Sequence, residues 1–135
     1  GHNARVNYDV VPNCIFTFPE LASVGKTEEE LTRDGVEYTA SKFAFAGNGK
    51  ALTLNTTDGF VKVLAGSDDL ILGVHIMGAH ASDLIHEAIV AMHAQLTAAE
   101  LATAMHAHPT LAEAVAEAAM GINGTAIHRM PARKR

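Results

Sequence analysis

The sequence contains a single cysteine and no tryptophan, and only 5% of its residues are aromatic. One cysteine, Cys14, cannot form an internal disulfide. For the same reason the chain holds neither a zinc site made of several cysteine ligands nor a redox centre of two cysteines. Thiol–disulfide chemistry that involves this chain therefore needs sulfur atoms from elsewhere.

Long apolar runs and an excess of positive charge are also absent. No stretch approaches the roughly 18 consecutive apolar residues of a membrane span, and the first residues do not follow the pattern of a secretory signal. Ten basic residues against 15 acidic ones give a formal net charge of -5, which disfavours binding to nucleic acid. We therefore expect a cytoplasmic protein with neither a membrane nor a nucleic acid as partner.

The length and the apolar content together indicate one globular domain. A chain of 135 residues, 48% of them hydrophobic, is long enough to bury its own core. We assign residues 1–10 to a lead-in, in which Gly1 and His2 fit a cloning remnant. Residues 11–127 form the predicted domain, and residues 128–135 a basic C-terminal tail.

Several short apolar segments predict strands. The two runs on either side of Pro19 indicate two short strands joined by a turn, and residues 36–45 a third strand. Residues 60–64 and 70–77 are rich in β-branched side chains and predict a hairpin. Gly47-Asn48-Gly49 is interpreted as a turn, because it lacks the third glycine of a nucleotide-binding loop.

Capping patterns and a 3.6-residue apolar period predict helices over residues 27–35, 81–95, 97–105 and 110–120. Three of these helices begin with a threonine followed three residues later by a glutamate, which is typical of a capping box: Thr27–Glu30, Thr97–Glu100 and Thr110–Glu113. Strands followed by helices indicate an α+β fold. We predict an antiparallel sheet of about four to five strands with helices packed on one face.

Eight histidines raise the question of a metal site, but most of their spacings do not match those of metal-binding motifs. His86-Glu87 begins like a zinc protease motif, yet position 90 is valine where that motif needs histidine. His86 and His93 are seven residues apart on one helix face, which is too far for one ion and favours a solvated face.

The segment around His108 is the candidate for chemistry. Pro109 restricts His108 to an extended backbone, and Glu113 lies one helical turn inside the following helix. Imidazole beside a carboxylate is suited to general acid/base work on a thiol or an alcohol. From spacing alone a helix cap is the better explanation of Glu113, because two other helices have the same cap without a histidine. A metal site of His106, His108 and Glu113 is a third interpretation.

Several separated motifs lie in order along nearly the whole chain. They are Val11-Pro12, Phe16-Thr17-Phe18-Pro19-Glu20-Leu21-Ala22-Ser23-Val24-Gly25, Asp58-Gly59-Phe60-Val61-Lys62, Leu72-Gly73-Val74-His75-Ile76-Met77-Gly78, and His106-Ala107-His108-Pro109-Thr110-Leu111 with Glu113. Through these motifs the chain specifically resembles the C-terminal dimerisation domain of pyridine nucleotide-disulfide oxidoreductases, and among them that of dihydrolipoyl dehydrogenases.

This resemblance implies a function for the segment. It makes His108 the catalytic acid/base and Glu113 its orienting partner, with His108 and Pro109 in contact with FAD of the partner subunit. The implied enzyme is a homodimer that oxidises dihydrolipoamide with NAD+ through FAD and a redox disulfide. The FAD and NAD domains of the same parent chain, and a lipoyl domain as the carrier of the substrate, would be the other partners.

The chain departs from the family in three respects. It lacks the glycine fingerprints for FAD and NAD and the redox cysteine pair, which the family carries upstream, and Phe18 stands where relatives often have a polar residue or histidine. We therefore expect the isolated chain to bind no cofactor and to be inactive. Two alternatives stay open: the same domain of a glutathione-reductase-like enzyme, or a dimeric interaction module without chemistry.

Overall fold

The computed structural model describes residues 5–128, which form an antiparallel sheet covered by helices. The strand order is β1-β2-β5-β4-β3. The strands are β1 (Asn13–Ile15), β2 (Glu20–Gly25), β3 (Tyr38–Ala44), β4 (Phe60–Gly66) and β5 (Ile71–Gly78). The helices are α1 (Glu28–Arg33), α2 (Gly49–Leu54), α3 (Ala81–His93), α4 (Ala98–Thr103) and α5 (Glu113–Ile122). The predicted α+β class and strand number are confirmed.

Side-chain alternation along the central strands determines which face of the sheet is covered. Val61 and Val63 of β4 pair in register with Ile76 and Val74 of β5, and all four are buried. Helix α3 packs on β2 and β5, and α5 packs on β3 and β4. The two longest helices therefore cover the same apolar face, as predicted.

The short helix α1 contacts the other face. Lys62 alternates with the buried valines of β4, and its ammonium lies 2.6 Å from Glu28 of α1. Tyr38 donates a hydrogen bond to the same carboxylate. This ion pair and hydrogen bond connect α1 to strands β3 and β4.

Small side chains let α5 approach its neighbours closely. Four of its alanines are buried, and the helix contacts β3, β4 and α4. The alanines are Ala114, Ala116, Ala118 and Ala119. Their packing partners are elements of this same chain.

Two of the three predicted capping boxes form, and the prediction of the third, at Thr110, is wrong. Thr27 and Thr97 each make both reciprocal hydrogen bonds with the glutamate three residues later. The hydroxyl of Thr110 instead donates to the carbonyl of Ala107 at 2.7 Å, and the helix begins only at Glu113. A local backbone acceptor has replaced the cap, because a threonine hydroxyl bonds as readily within a turn as at a helix end.

Helix α2 is absent from the prediction, which interpreted Gly47-Asn48-Gly49 as a turn. The side chain of Asn48 accepts a hydrogen bond from the amide of Ala51 at 2.9 Å, so Asn48 is an N-cap. The helix ends after six residues at Asn55, which has φ 54°. Asparagine is a strong N-cap residue, and this preference is the sequence feature that could have indicated the helix.

A carboxylate connects β2 to α3 at the edge of the core. Glu20 accepts hydrogen bonds from the amide of Ser82 at 2.9 Å and from its hydroxyl at 2.7 Å. These two hydrogen bonds lower the pKa of Glu20 below its ordinary value of 4.5, and the bond from the amide has the larger effect. The folded state therefore favours the ionised carboxylate.

Within residues 5–128, no helix combines the length and apolarity that a bilayer crossing requires. Residues 1–4 of the predicted lead-in and residues 129–135 of the predicted tail lie outside the described residues.

The packing of α3 predicts a large loss of stability on truncation of Ile85. This side chain is fully buried, and Ile85→Ala should lower the free energy of unfolding by about 2–5 kcal/mol. Val90→Ala on the same helix is the control, since Val90 is 66% exposed and should change stability by less than about 0.5 kcal/mol. Urea denaturation measures both, and equal effects would contradict this packing.

The lowered pKa of Glu20 predicts a pH-dependent contribution to stability. Because the pKa of Glu20 is depressed in the folded state, its contribution to the free energy of unfolding is complete above pH 4.5. This contribution is lost as the pH falls through the pKa of the folded state. The stability difference between the wild type and Glu20→Gln should therefore be larger at pH 7 than below 4.5. Denaturation curves at both pH values test this, with the exposed Glu29→Gln as control; a difference that grew on acidification would refute it.

Candidate active site

The loop between α4 and α5 carries the candidate residues. Helix α4 ends with Ala104 as its C-cap, and α5 begins at Glu113. Two histidines of this loop have opposite environments, because the side chain of His106 is only 10% exposed and that of His108 is 78% exposed. His108 is thus the one available to a molecule outside the chain.

Glu113 contacts His108 as the sequence predicts. Its Oε1 lies 2.8 Å from Nδ1 of His108, and its Oε2 accepts a hydrogen bond from the amide of Thr110 at 2.8 Å. The two interpretations of Glu113 are therefore compatible. One carboxylate binds a free amide before the helix and orients the histidine ring at the same time.

The hydrogen bond to Glu113 determines which ring nitrogen of His108 faces outward. A carboxylate is an acceptor only, so Nδ1 carries the proton and donates. Nε2 then points away from Glu113 and has no hydrogen-bond partner among residues 5–128. An exposed imidazole nitrogen with its tautomer fixed by a carboxylate can accept and return a proton.

The charge of Glu113 is favoured in the folded protein. The hydrogen bond from the amide of Thr110 is the main cause that lowers the pKa of Glu113 below 4.5, and the hydrogen bond from His108 adds to it. The charge of His128 acts in the same direction. Glu113 is therefore ionised at neutral pH, which is the state that orients and stabilises an imidazolium.

The other histidines do not join this site. His106 bonds to Glu87 on α3, so the proposed set of His106, His108 and Glu113 does not converge. Within residues 5–128, no three histidine, cysteine or acidic side chains are arranged to bind one metal ion. His86 and His93 are exposed, in agreement with a solvated helix face.

A second carboxylate on α5, which the sequence analysis missed, fixes the chain that follows this helix. Glu117 is only 6% exposed and accepts hydrogen bonds from the amides of Ile127 and His128 at 3.0 and 3.2 Å. Its Oε1 lies 2.7 Å from Nδ1 of His128. A glutamate among buried alanines was the only sequence feature that could have indicated this contact.

Comparisons with known proteins agree with this fold. The family model described as "Pyridine nucleotide-disulphide oxidoreductase, dimerisation domain" matches residues 11–119. The structure of LpdA from Mycobacterium tuberculosis superposes with a TM-score of 0.83 at 27% identity, covering 88% of this chain and 26% of that one.

Curated relatives are enzymes much longer than this chain. Dihydrolipoyl dehydrogenase 2, mitochondrial, of Arabidopsis thaliana is 47% identical over 95% of this chain and 25% of its own length. Dihydrolipoyl dehydrogenase of Trypanosoma brucei brucei is 50% identical over 89% of this chain and 25% of its own. The chain spans about a quarter of the length of these relatives. It belongs to the dimerisation-domain family of the pyridine nucleotide-disulfide oxidoreductases.

Proposed function

We propose that the chain is the dimerisation domain of a dihydrolipoyl dehydrogenase and that it supplies His108 and Glu113 as an acid/base pair to the active site of the partner subunit. The observation that carries this proposal is the 2.8 Å contact between Nδ1 of His108 and Glu113 on a ring that is 78% exposed. A buried ring could not reach a substrate bound by another subunit. The identities of the relatives support dihydrolipoamide as the substrate.

His108 would act on the thiol of the substrate. A thiol has a pKa near 8.5 and is mostly protonated at neutral pH, whereas the thiolate is the nucleophile. Nε2 of His108 accepts the thiol proton while Glu113 stabilises the imidazolium through Nδ1. The thiolate then attacks one sulfur of an enzyme disulfide, whose other sulfur leaves as a thiolate. Cys14 alone cannot provide that disulfide, so it belongs to a part of the enzyme outside this chain.

The exposed position of His108 and Pro109 fits a contact with FAD of the partner subunit, since both residues are open to an approaching surface. These residues would touch the cofactor without enclosing it. When bound in the full-length enzyme, FAD would supply the redox chemistry that connects the dithiol with NAD+.

Several large apolar side chains are exposed on this chain, which supports the proposal that another part of the full enzyme covers them. Phe16 is 78% exposed, Phe18 92% and Tyr8 83%, and all three lie in the first part of the chain. Met105, beside His106, is fully exposed. Large apolar groups of this kind are typical of protein–protein interfaces. Phe18 therefore fits an apolar contact where relatives often have a polar residue.

In the full-length enzyme, His108→Gln should lower turnover with dihydrolipoamide by about 10²–10⁴-fold and leave the flavin bound, because glutamine cannot accept and return the thiol proton. Steady-state NADH production and the visible flavin spectrum measure the two properties. His93→Gln, an exposed histidine of α3, is the control and should keep normal turnover. Unchanged turnover of the His108 variant would remove this residue from the mechanism.

Glu113→Gln separates orientation of the ring from helix capping. The amide side chain can still accept a hydrogen bond from Thr110 but carries no charge for the imidazolium, so turnover should fall about tenfold or more while the melting temperature changes little. Because the pKa of Glu113 is lowered in the folded state, the small difference in melting temperature between the wild type and the variant should be present above pH 4.5 and should be lost as the pH falls through the folded pKa. Calorimetry and kinetics on the same variant test this; a large thermal shift with normal turnover would leave capping as the role of Glu113.

A further inference from the structure

A second histidine–carboxylate pair lies two residues before His108. Nε2 of His106 lies 2.6 Å from Oε1 of Glu87, and its Nδ1 lies 2.8 Å from the carbonyl oxygen of Ala104. Both ring nitrogens are engaged and the ring is 90% buried, so it cannot exchange protons with a substrate. Its contacts connect α3 to the end of α4, where the loop of His108 begins.

The chemistry of these contacts makes them strong. The carbonyl of Ala104 at Nδ1 and the carboxyl group of Glu87 at Nε2 together engage both ring nitrogens of His106. A hydrogen bond between an imidazole ring and a carboxylate is charge-assisted and short. The backbone at His106 is therefore firmly held.

The loop is held again two residues after His108. The side-chain amide of Asn48 donates to the carbonyl of Thr110 at 3.0 Å, and Asn48 is 97% buried. The hydroxyl of Thr110 donates to the carbonyl of Ala107 at 2.7 Å, which closes the backbone around His108. Asn48 thus joins the start of α2 to the loop, in addition to capping that helix.

We propose that Glu87 and Asn48 are positioning residues for His108, acting through His106 and Thr110. This inference rests on the proposed acid/base role of His108. An exposed ring reaches Glu113 only while its backbone stays in place, and the two anchors hold the loop on both sides of it. Displacement of a reacting group by about 1 Å can lower a rate by about 10²-fold, so distant anchors of this kind affect turnover.

The first test uses this chain and reads the tautomer of His108. Long-range ¹H–¹⁵N spectra at alkaline pH should show the neutral ring of His108 protonated at Nδ1, because Glu113 accepts from that atom. In Glu87→Ala and in Asn48→Ser the ring ¹⁵N signals of His108 should move toward those of His93, an exposed histidine that serves as the internal reference. Serine at position 48 can still cap α2 but is too short to reach Thr110. Amide signals of buried Val61 and Ile85 report whether the fold is retained.

Conservative and matched variants separate positioning from general stability. Glu87→Gln keeps an oxygen that accepts from Nε2 of His106 and should restore most of the Nδ1 signal of His108. Val90→Ala, at an exposed position of α3, should leave the spectrum unchanged. Loss of the fold in Glu87→Ala, or a wild-type His108 spectrum in both Glu87→Ala and Asn48→Ser, would overturn the proposal.

The second test uses the full-length flavoenzyme with dihydrolipoamide. Glu87→Ala and Asn48→Ser should each lower kcat about tenfold with KM nearly unchanged, because the binding surface remains and only the proton acceptor is displaced. His108→Gln in the same enzyme distinguishes the two proposals. If it leaves kcat unchanged, the proposed function fails; if it lowers kcat while the two positioning variants do not, only the positioning role fails.

Discussion

The candidate site depends on one geometric constraint: Nδ1 of His108 must stay within hydrogen-bond distance of Glu113 while the opposite nitrogen remains open to solvent. An exposed side chain loses conformational entropy when it is held in one orientation. A bond to a carboxylate compensates for this loss only if the carboxylate is itself fixed. Glu113 meets this condition because it lies in the first turn of α5 and binds the amide of Thr110 with its second oxygen.

The sheet and its covering helices supply the rigid base for this arrangement. The buried alanines of α5 bring the helix close to β3, β4 and α4, so Glu113 is carried by an element packed on several sides. Close packing of this kind leaves little room for the helix to shift. The loop above it needs its own anchors, and the buried contacts of His106 and Asn48 provide them.

Carboxylates connect separate elements repeatedly in this fold. Glu20 joins β2 to α3, Glu87 joins α3 to the loop, and Glu117 joins α5 to the chain that follows it. Each accepts hydrogen bonds from groups whose own bonding is incomplete at the end of an element or in a loop. These hydrogen bonds link elements that no internal disulfide can join, because the sequence has only one cysteine.

The sequence by itself determined the features that depend on neighbouring residues. Alternation of apolar residues predicted the β4–β5 hairpin, threonine–glutamate spacing predicted the caps of α1 and α4, and the five-residue separation of His108 and Glu113 brought that pair to notice. The failure at Thr110 shows the limit of such local rules, since its hydroxyl had another acceptor in the same turn.

Only the tertiary structure decided which residues support the site. His106 and Glu87 are 19 residues apart, and Asn48 and Thr110 are 62 apart, so neither contact leaves a periodic pattern in the sequence. His106 and His108 are almost adjacent in the chain, yet one is buried against α3 and the other is exposed. Composition and spacing cannot separate them, because burial depends on which elements pack around a side chain rather than on its neighbours in sequence.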